Sequence, residues 1–224
     1  PLDCALVPAE MALQLDLTEE QGMIRDTARD VARAEFAPRA IAADETGAFP
    51  AENLRRMAEL GLLGIPVHED YGGAGAGTLA FVLAMEEIAS VCASTALTLA
   101  AHTSLGTMPI LDFGSEAQKR RYVPRLASGE ILGSYALTEP GAGSDAGGTE
   151  SRARREGDRY VLDGAKCFCT NASYAGTTIA TAKTDAAAKG SRGISAFILE
   201  KGMPGFTVGK KEDKLGMRAS DTVQ

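Results

Sequence analysis

The sequence holds little of what a metal centre or a nucleic-acid-binding surface requires. It has two histidines and four cysteines, and Cys167 and Cys169 lie two positions apart with no second pair nearby. A zinc site needs about four nitrogen or sulfur ligands at close spacing, so no metal site is expected. Lysine and arginine (23) are fewer than aspartate and glutamate (30), and the formal net charge is −7. This balance argues against nucleic acid or an anionic membrane as a main partner.

Long apolar runs are also absent. None approaches the ~20 residues that a bilayer-spanning helix needs, so membrane insertion is not expected. The chain begins Pro1-Leu2-Asp3, without the basic and apolar stretches of a secretory signal. The four cysteines (Cys4, Cys92, Cys167, Cys169) are interpreted as reduced thiols packed as small hydrophobic side chains. A cytoplasmic location is therefore expected, with the mitochondrial matrix as the alternative.

What is present is the composition of a folded globular protein. Hydrophobic residues make up 45% of the 224 residues and charged residues 24%, which is enough apolar material for a buried core. The length fits one large domain or two small ones. Despite the acidic balance, a few local donors would suffice to bind an anionic cofactor.

From Leu17 to about Gly129 the pattern is helical. Two capping boxes, Thr18 with Gln21 and Ser115 with Gln118, predict helix starts. The stretch 68–77 is predicted to be a loop; its glycines are not a dinucleotide fingerprint, because their spacing is wrong and no strand precedes them. Apolar residues recur at helix spacing in the first of these helices (Ile24, Ala28, Val31 and Ala32, before Pro38), in a second (Leu54, Met57, Ala58 and Leu60 after Pro50, with Gly61 as a cap) and in a third (Leu79, Val82, Leu83 and Ile88 on one face). A fourth helix, rich in small residues, is predicted at about Ser94 to Ile110, and the one that Ser115 opens reaches Leu126.

After Gly133 the pattern changes to short β-prone runs, at 160–162, 177–182, 194–199 and 206–208, separated by turn residues. Regular short strands with no helix between them predict an antiparallel sheet or a small barrel. The predicted fold class is α+β, an all-α bundle followed by an antiparallel β-domain. We expect an N-terminal extension at 1–16, the α-helical domain at 17–132 and the β-domain, incomplete at its C-terminal end, at 133–224.

Two segments could carry chemistry. In Tyr135 to Asp145, a β-prone start runs into Pro140, two glycines, a hydroxyl and a carboxylate. Glycines let a backbone approach a ligand and aim N–H groups at its oxygens; an ordinary strand-to-turn connection is equally open. In Lys166 to Asn171, strand alternation would place Phe168 and Thr170 on one face and the two cysteines on the other. A planar heteroaromatic could stack on that ring, although a core Phe beside an edge Thr is the commoner situation.

These two segments resemble the flavin-binding motifs of acyl-CoA dehydrogenases. Leu137 to Asp145 is similar to the first motif, and Asp163 to Lys166 followed by Phe168 to Asn171 is similar to the second. Further likeness is found in Glu69 to Gly73, Phe113 to Lys119 and Lys211 to Gly216. The resemblance covers about residues 16–224, and helices before a β-domain is also the family's order. It implies that the family's C-terminal four-helix domain is missing from this sequence.

The resemblance implies FAD as the cofactor. Thr138 would lie near the pyrimidine edge of the flavin, and Phe168 would stack on the isoalloxazine where most family members have Trp. Thr170 would hydrogen-bond near flavin N5, the atom that receives hydride. The full set of implied cofactor-binding residues is Tyr135, Leu137, Thr138, Gly143, Ser144, Phe168, Cys169 and Thr170. The implied substrate-binding residues are Ser144 at the pantetheine, Ser191 near the CoA phosphate end, and Leu97, Thr98 and Ala101 along the acyl pocket.

The reaction that the resemblance implies is α,β-dehydrogenation of an acyl-CoA to the trans-2-enoyl-CoA, with electrons passed to an electron-transfer flavoprotein. A carboxylate base must reach the α-carbon; in the family it belongs to the C-terminal domain, so no catalytic residue is assigned here. Glu139 is not assigned as base, because it belongs to the flavin loop. Likeness of Gly193 to Phe197 and of Lys210 to Gly216 to short-chain members favours a short acyl-CoA. A homotetramer is expected.

Two other functions stay open at this point. One is a flavin-dependent oxidase or monooxygenase of the same fold, which rapid reaction of the reduced flavin with oxygen would reveal. The other is a non-catalytic flavin- or CoA-binding subunit, which the lack of a glutamate in a following domain would reveal. Likeness of fold alone does not decide among them.

Overall fold

The structure is a computed structural model that describes residues 16–224. The predicted N-terminal extension therefore lies outside the described residues except for Asp16, and so does Cys4. Within the described range, no helix combines the length and the apolar character needed to cross a membrane.

The first half of the described chain is helical, as predicted. Its α-helices are α1 (Glu19–Val31), α2 (Ala37–Thr46), α3 (Ala51–Glu59), α4 (Gly77–Ala89), α5 (Ala93–Ala100), α6 (Met108–Phe113) and α7 (Glu116–Ala127). Both predicted capping boxes are confirmed. The Thr18 hydroxyl accepts from the N–H of Gln21 at 3.2 Å, and the Ser115 hydroxyl accepts from the N–H of Gln118 at 3.3 Å.

Two joints between helices are π-helical. Ala32–Phe36 connects α1 to α2, and Ala101–Thr107 connects α5 to α6. The predicted helix at about 94–110 is therefore a continuous helical path of three pieces. The first path also continues beyond Pro38, which lies in the first turn of α2 directly after the π-helical joint.

Helix α4 follows the predicted face only in part, since Ile88 is buried and Leu83 is half-buried. Leu79 and Val82 are exposed, and the helix turns Ala80, Phe81, Ala84 and Ile88 into the core. The prediction was wrong for Leu79 and Val82 because this helix is apolar on several sides, so periodicity alone does not select a face. Packing against α1 makes the selection, and small alanines allow the two helices to approach closely. The largest side chains of this core are Phe36, Met57, Leu63, Ile65, Ile88 and Leu99.

The second half is built of strands, and the helix-to-strand change falls between Ala127 and Leu132. The strands are β1 (Leu132–Ala136), β2 (Arg152–Glu156), β3 (Arg159–Asp163), β4 (Cys169–Thr170), β5 (Ala175–Lys183), β6 (Ile194–Glu200) and β7 (Thr222–Val223). The predicted runs at 160–162, 177–182 and 194–199 are confirmed as β3, β5 and β6. The run at 206–208 is not a strand, so that prediction is wrong.

The predicted fold class holds, but the sheet is mixed rather than antiparallel. β5 pairs with β6 along one edge. Along its other edge it pairs first with β1 and then, at Lys183, with β2, which continues to β3. β4 and β7 form a separate pair. β1 and β2 run parallel to β5, whereas β2/β3 and β5/β6 are antiparallel. The connection from the end of β1 to the start of β5 contains the β2/β3 hairpin and the segment Lys166 to Asn171. It is long enough for β1 and β5 to pair in parallel without a crossover α-helix.

The two halves meet where backbones touch. A Cβ added to Gly106, in the π-helical segment, would lie 2.5 Å from the Cα of Gly133 in β1. Only glycine at both positions allows this approach. The start of β1 is thereby fixed against the helices, and this contact also limits where the loop after β1 can lie.

Candidate functional site

The structure places the two predicted flavin segments side by side. β1 ends at Ala136 and runs directly into Leu137 and Thr138, and the N–H of Cys167 donates to the carbonyl of Thr138 at 2.8 Å. Tyr135, Leu137 and Thr138 are half-buried, while Gly143 and Ser144 are exposed. The two segments that the resemblance assigned to one cofactor are thus adjacent at Thr138 and Cys167.

The first segment is a tight turn with free donors. The N–H of Glu139 donates to the carbonyl of Ala142 at 2.9 Å, and the N–H of Ala142 donates back at 3.1 Å. Among the described residues, the N–H groups of Gly141, Gly143 and Ser144 have no backbone acceptor. A Cβ added at Gly141 or Gly143 would meet no atom within 4 Å, so there is open space beside both glycines.

A buried ion pair between Lys166 and Glu139 anchors this turn. The ammonium of Lys166 lies 2.6 Å from the carboxylate of Glu139, and the side chains are only 12% and 4% exposed. The Thr149 hydroxyl and the N–H groups of Glu150 and Ser151 also donate to the carboxylate. Burial alone would raise the pKa of Glu139, but these donors outweigh it and hold that pKa well below its usual range. Glu139 therefore stays ionised and is unsuited to be a general base.

The second segment presents Phe168 to solvent. Its side chain is 62% exposed, and its backbone lies in the left-handed region with φ 58°. The predicted strand does not extend through it, because β4 contains only Cys169 and Thr170. The predicted alternation nevertheless appears in the burial pattern, since Cys167 and Cys169 are buried and Thr170 is half-buried. A left-handed residue, not a regular strand, turns the Phe168 ring outward.

Cys169 can contribute only its backbone to a ligand. Its side chain is buried in a cluster with Ala136, Ala180 and Val223, and burial raises the pKa of its thiol to about 11. The thiol is therefore protonated at neutral pH and inert as a nucleophile.

Asn171 anchors the end of the second segment, a role that the sequence did not reveal. Its φ is 70°, its side chain is fully buried, and its amide donates to the carbonyl of Thr98 in α5 at 2.9 Å. The Ser134 hydroxyl donates to the neighbouring carbonyl of Thr170 at 2.7 Å. The segment is thus bonded to both the helical half and β1. The partners lie 36 and 73 positions away, so no local pattern could indicate them.

Asp221 is a second residue that the sequence analysis missed. Its buried carboxylate accepts from the N–H of Ser173 at 3.0 Å and from the Ser173 hydroxyl at 2.9 Å, and its carbonyl accepts from the N–H of Asn171. It orders the turn after the second segment. Thr222, which follows it, pairs with Thr170 across β7 and β4.

His102 connects α7, the π-helical segment and β1. Its Nε2 lies 3.1 Å from the carbonyl of Leu126, and its Nδ1 lies 3.0 Å from the N–H of Gly133. These partners require a neutral ring with the proton on Nε2. Burial lowers the pKa of His102 from 6.5 to about 4, against the smaller opposing effect of the Leu126 carbonyl. In the described residues no three His, Cys, Asp or Glu side chains are placed to hold a metal ion.

The predicted substrate residues lie in two places. Ser144 and Ser191 are exposed on neighbouring loops, since a Cβ on Gly147 would lie 3.3 Å from the Cα of Gly190. On the helical side, Leu97 is half-buried, while Thr98 and Ala101 are buried. The Thr98 hydroxyl donates to the carbonyl of Ser94 at 2.9 Å, within α5. The backbone carbonyl of Thr98, and not its side chain, connects α5 to the second segment by accepting from the Asn171 amide. The substrate-binding role of these residues stays a prediction.

The residues fit a flavin dinucleotide. An exposed ring at Phe168 suits a planar heteroaromatic, and free N–H groups on an open glycine turn suit the oxygens of a pyrophosphate. Thr138 and Thr170 are half-buried beside them and offer hydroxyls to polar ring atoms. The donor set matches a ligand that is flat at one end and anionic in the middle.

Comparison with known proteins agrees with this geometry. The family model of the acyl-CoA dehydrogenase N-terminal domain matches residues 18–130, and that of the middle domain matches residues 134–224. The short-chain specific acyl-CoA dehydrogenase of Clostridium acetobutylicum is 47% identical over 212 residues, which cover 95% of this chain and 56% of that protein. Curated relatives include bacterial and mitochondrial proteins.

Solved structures share the fold. Butyryl-CoA dehydrogenase from Megasphaera elsdenii superposes with a TM-score of 0.90 at 41% identity, covering 94% of this chain and 56% of that one. Acyl-CoA dehydrogenase complexed with FAD from Bacillus anthracis gives a TM-score of 0.85 at 39% identity, covering 93% and 36%. The chain spans about half the length of the curated relatives it matches.

Proposed function

The chain belongs to the acyl-CoA dehydrogenase family, a family of FAD-containing oxidoreductases, and from this premise we propose that it is the N-terminal and middle part of an enzyme that dehydrogenates acyl-CoA thioesters. The observation that carries the proposal is the joining of two flavin segments through the Thr138 carbonyl and the Cys167 N–H. That contact, together with the free backbone donors of the first segment and the exposed Phe168 ring of the second, supports a shared cofactor site.

The residues of this chain bind and orient the cofactor. Phe168 would stack against the flavin ring, Thr138 and Thr170 would hydrogen-bond to its polar edge, and the N–H groups of Gly143 and Ser144 would bind the pyrophosphate. The bound cofactor would supply the acceptor for the hydride that leaves the β-carbon of the substrate. The Ser134 hydroxyl donates to the backbone carbonyl of Thr170, so the backbone of this residue is held in place before any ligand arrives, which lowers the entropic cost of binding.

Removal of the α-proton needs a carboxylate base that this chain does not supply through Glu139. That carboxylate accepts from four donors and is almost inaccessible. A base must approach its proton within hydrogen-bond reach. We assign the base to the C-terminal domain that family members carry, and the acyl pocket to the helix surface around Leu97.

We propose a short or short-branched acyl-CoA as the substrate. Support comes from the likeness of Gly193 to Phe197 and of Lys210 to Gly216 to short-chain members of the family, and from the short-chain specific relative in Clostridium. One methylene in an apolar pocket changes the transition-state energy by about 1–3 kcal/mol, so the preference is graded. A kcat/KM that rises steadily from butyryl-CoA to palmitoyl-CoA would contradict this proposal.

The remaining parts of the proposal follow from family membership. They are a homotetrameric assembly, an electron-transfer flavoprotein as electron acceptor, and a cytoplasmic location, with the mitochondrial matrix as the alternative that mitochondrial relatives leave open. Size-exclusion chromatography with light scattering tests the assembly. Reduction of added electron-transfer flavoprotein in the presence of substrate tests the acceptor.

The central test is anaerobic titration of the purified holoprotein with butyryl-CoA. We expect a yellow protein that releases FAD on denaturation, and bleaching of the flavin absorbance by butyryl-CoA but not by free CoA. Colourless protein that takes up no added FAD would refute the cofactor assignment. Bleached flavin that re-oxidises at once in air would indicate an oxidase instead of a dehydrogenase.

A further inference from the structure

The buried Lys166 ammonium lies between the two flavin segments and contacts more than its ion-pair partner. It donates to the Leu137 carbonyl at 3.0 Å, the Thr149 hydroxyl at 3.1 Å and the Thr181 hydroxyl at 3.2 Å, in addition to the Glu139 carboxylate at 2.6 Å. An ammonium has three protons, so all of its hydrogen-bonding capacity is used. Its position is therefore fixed before any cofactor binds.

The Leu137 carbonyl accepts a hydrogen bond from Lys166, which fixes the direction of the N–H on the opposite side of the Leu137–Thr138 peptide. The Leu137–Thr138 peptide is trans, so the Thr138 N–H points away from Lys166. Among the described residues, this N–H has no backbone acceptor. Each peptide carries a dipole of about 3.5 D, and a cation at the carbonyl end polarises the peptide and strengthens its N–H as a donor.

The negative charge of Glu139 does not cancel this effect at Leu137. The carboxylate accepts from Thr149 and from the N–H groups of Glu150 and Ser151, which spread its charge over donors other than Lys166. No carboxylate other than that of Glu139 bonds to Lys166 in the described chain. The Leu137 carbonyl therefore faces the positive member of the pair directly.

We infer that Lys166 and Glu139 are positioning residues that set the reduction potential of the bound flavin, with Lys166 strengthening the Thr138 N–H toward the negative charge that reduction places on the pyrimidine edge. This inference rests on the proposed function, because it takes Thr138 to lie at that edge. Charge close to the flavin ring is a known means by which proteins tune a flavin. The two members of the pair act in opposite directions, which a purely structural role does not predict.

The experiment compares Lys166→Met and Glu139→Gln in the FAD-containing holoprotein. Each change breaks a buried pair, so both variants should melt at lower temperature and bind oxidised FAD at least tenfold more weakly. In Lys166→Met, reduced FAD should lose about tenfold more affinity than oxidised FAD, which corresponds to a potential about 30 mV lower for a two-electron couple. In Glu139→Gln, the potential should be higher than that of the wild type.

Lys211→Met is the matched control, since Lys211 also donates to a backbone carbonyl, that of Gly47 in the helical half, at 2.7 Å. It should leave the potential unchanged. Lys166→Gln replaces Lys166→Met if the latter does not accumulate, and Lys166→Arg should keep the wild-type potential. Equal downward shifts in both members of the pair, or no shift in either, would overturn the inference while leaving the proposed function intact. Wild-type protein that binds no FAD would overturn both.

Discussion

Acidification should destabilise this protein through one buried ring. His102 is neutral in the folded state because burial lowers its pKa from 6.5 to about 4. The folded state therefore binds fewer protons than the unfolded state between these values. The contribution of the neutral ring to stability is complete above about pH 6.5 and is lost as the pH falls toward 4. Protonation would also set an Nδ1–H against the N–H of Gly133, where the neutral ring accepts a hydrogen bond.

The size of the effect follows from linkage. A shift of one pKa unit corresponds to about 1.4 kcal/mol, so the two pKa values give a loss of about 2 kcal/mol between pH 7.5 and 5, and about 3 kcal/mol by pH 4. Domains are typically stable by about 5–15 kcal/mol, so this loss would lower the unfolding midpoint clearly. It should open the contact between β1 and the π-helical segment first.

Urea denaturation at constant ionic strength, followed by circular dichroism from about pH 7.5 to pH 4, measures the loss. Carboxylates titrate in the same range, so the informative quantity is the difference between wild type and His102→Gln. The variant should be less stable by about 1–3 kcal/mol at neutral pH, because buried partners lose a hydrogen bond, but its pH dependence should be shallower by about 2 kcal/mol. His68→Gln is the control, since its ring is 67% exposed. Identical pH profiles for the two variants would refute the reasoning.

Three further changes test the site and its support. Phe168→Ala should weaken FAD binding about 2- to 12-fold, since stacking contributes roughly 0.5–1.5 kcal/mol, and Phe168→Trp should be tolerated; an unchanged affinity by fluorescence titration removes the ring from the site. Gly106→Ala should cost at least ~1–3 kcal/mol by thermal melting, because its Cβ would strike Gly133, whereas Gly22→Ala, with open space around it, should be neutral or stabilising; equal effects would contradict this. Asn171→Ala should cost about 2–4 kcal/mol through strain and lost bonds, and Asn171→Gly should recover part of that; no recovery would exclude strain.

Local rules predicted the element types well. The capping boxes at Thr18 and Ser115 needed only residues three positions apart, and both formed as expected. The β-prone runs that became β3, β5 and β6 were also readable from nearest neighbours. The failures have a common cause. The face of α4 and the non-strand at 206–208 depend on which surfaces meet in space, and no window of the sequence contains that information.

The same division applies to the candidate site. Its two segments were recognised from their own residues, and the exposed Phe168 ring and the free donors on the glycine turn agree with that interpretation. What holds the segments was not readable. Glu139 and Lys166 are 27 positions apart, and Asn171 and Thr98 are 73 apart. Seen without its partner, each of these four polar residues is compatible with an exposed surface position.

The sequence by itself determined that a helical half precedes a strand-rich half, that two segments resemble flavin-binding motifs, and the family to which the chain belongs, because each of these depends on residue types within a few positions of one another. Only the tertiary structure decided that β1 and β5 run parallel, that Phe168 turns outward through a left-handed backbone, and that Lys166 faces the carbonyl side of the Leu137–Thr138 peptide. The physical reason is that buried charges and polar groups must find partners wherever the fold brings them. Contacts between distant segments in the folded chain, and not local conformational preferences, determine those partners.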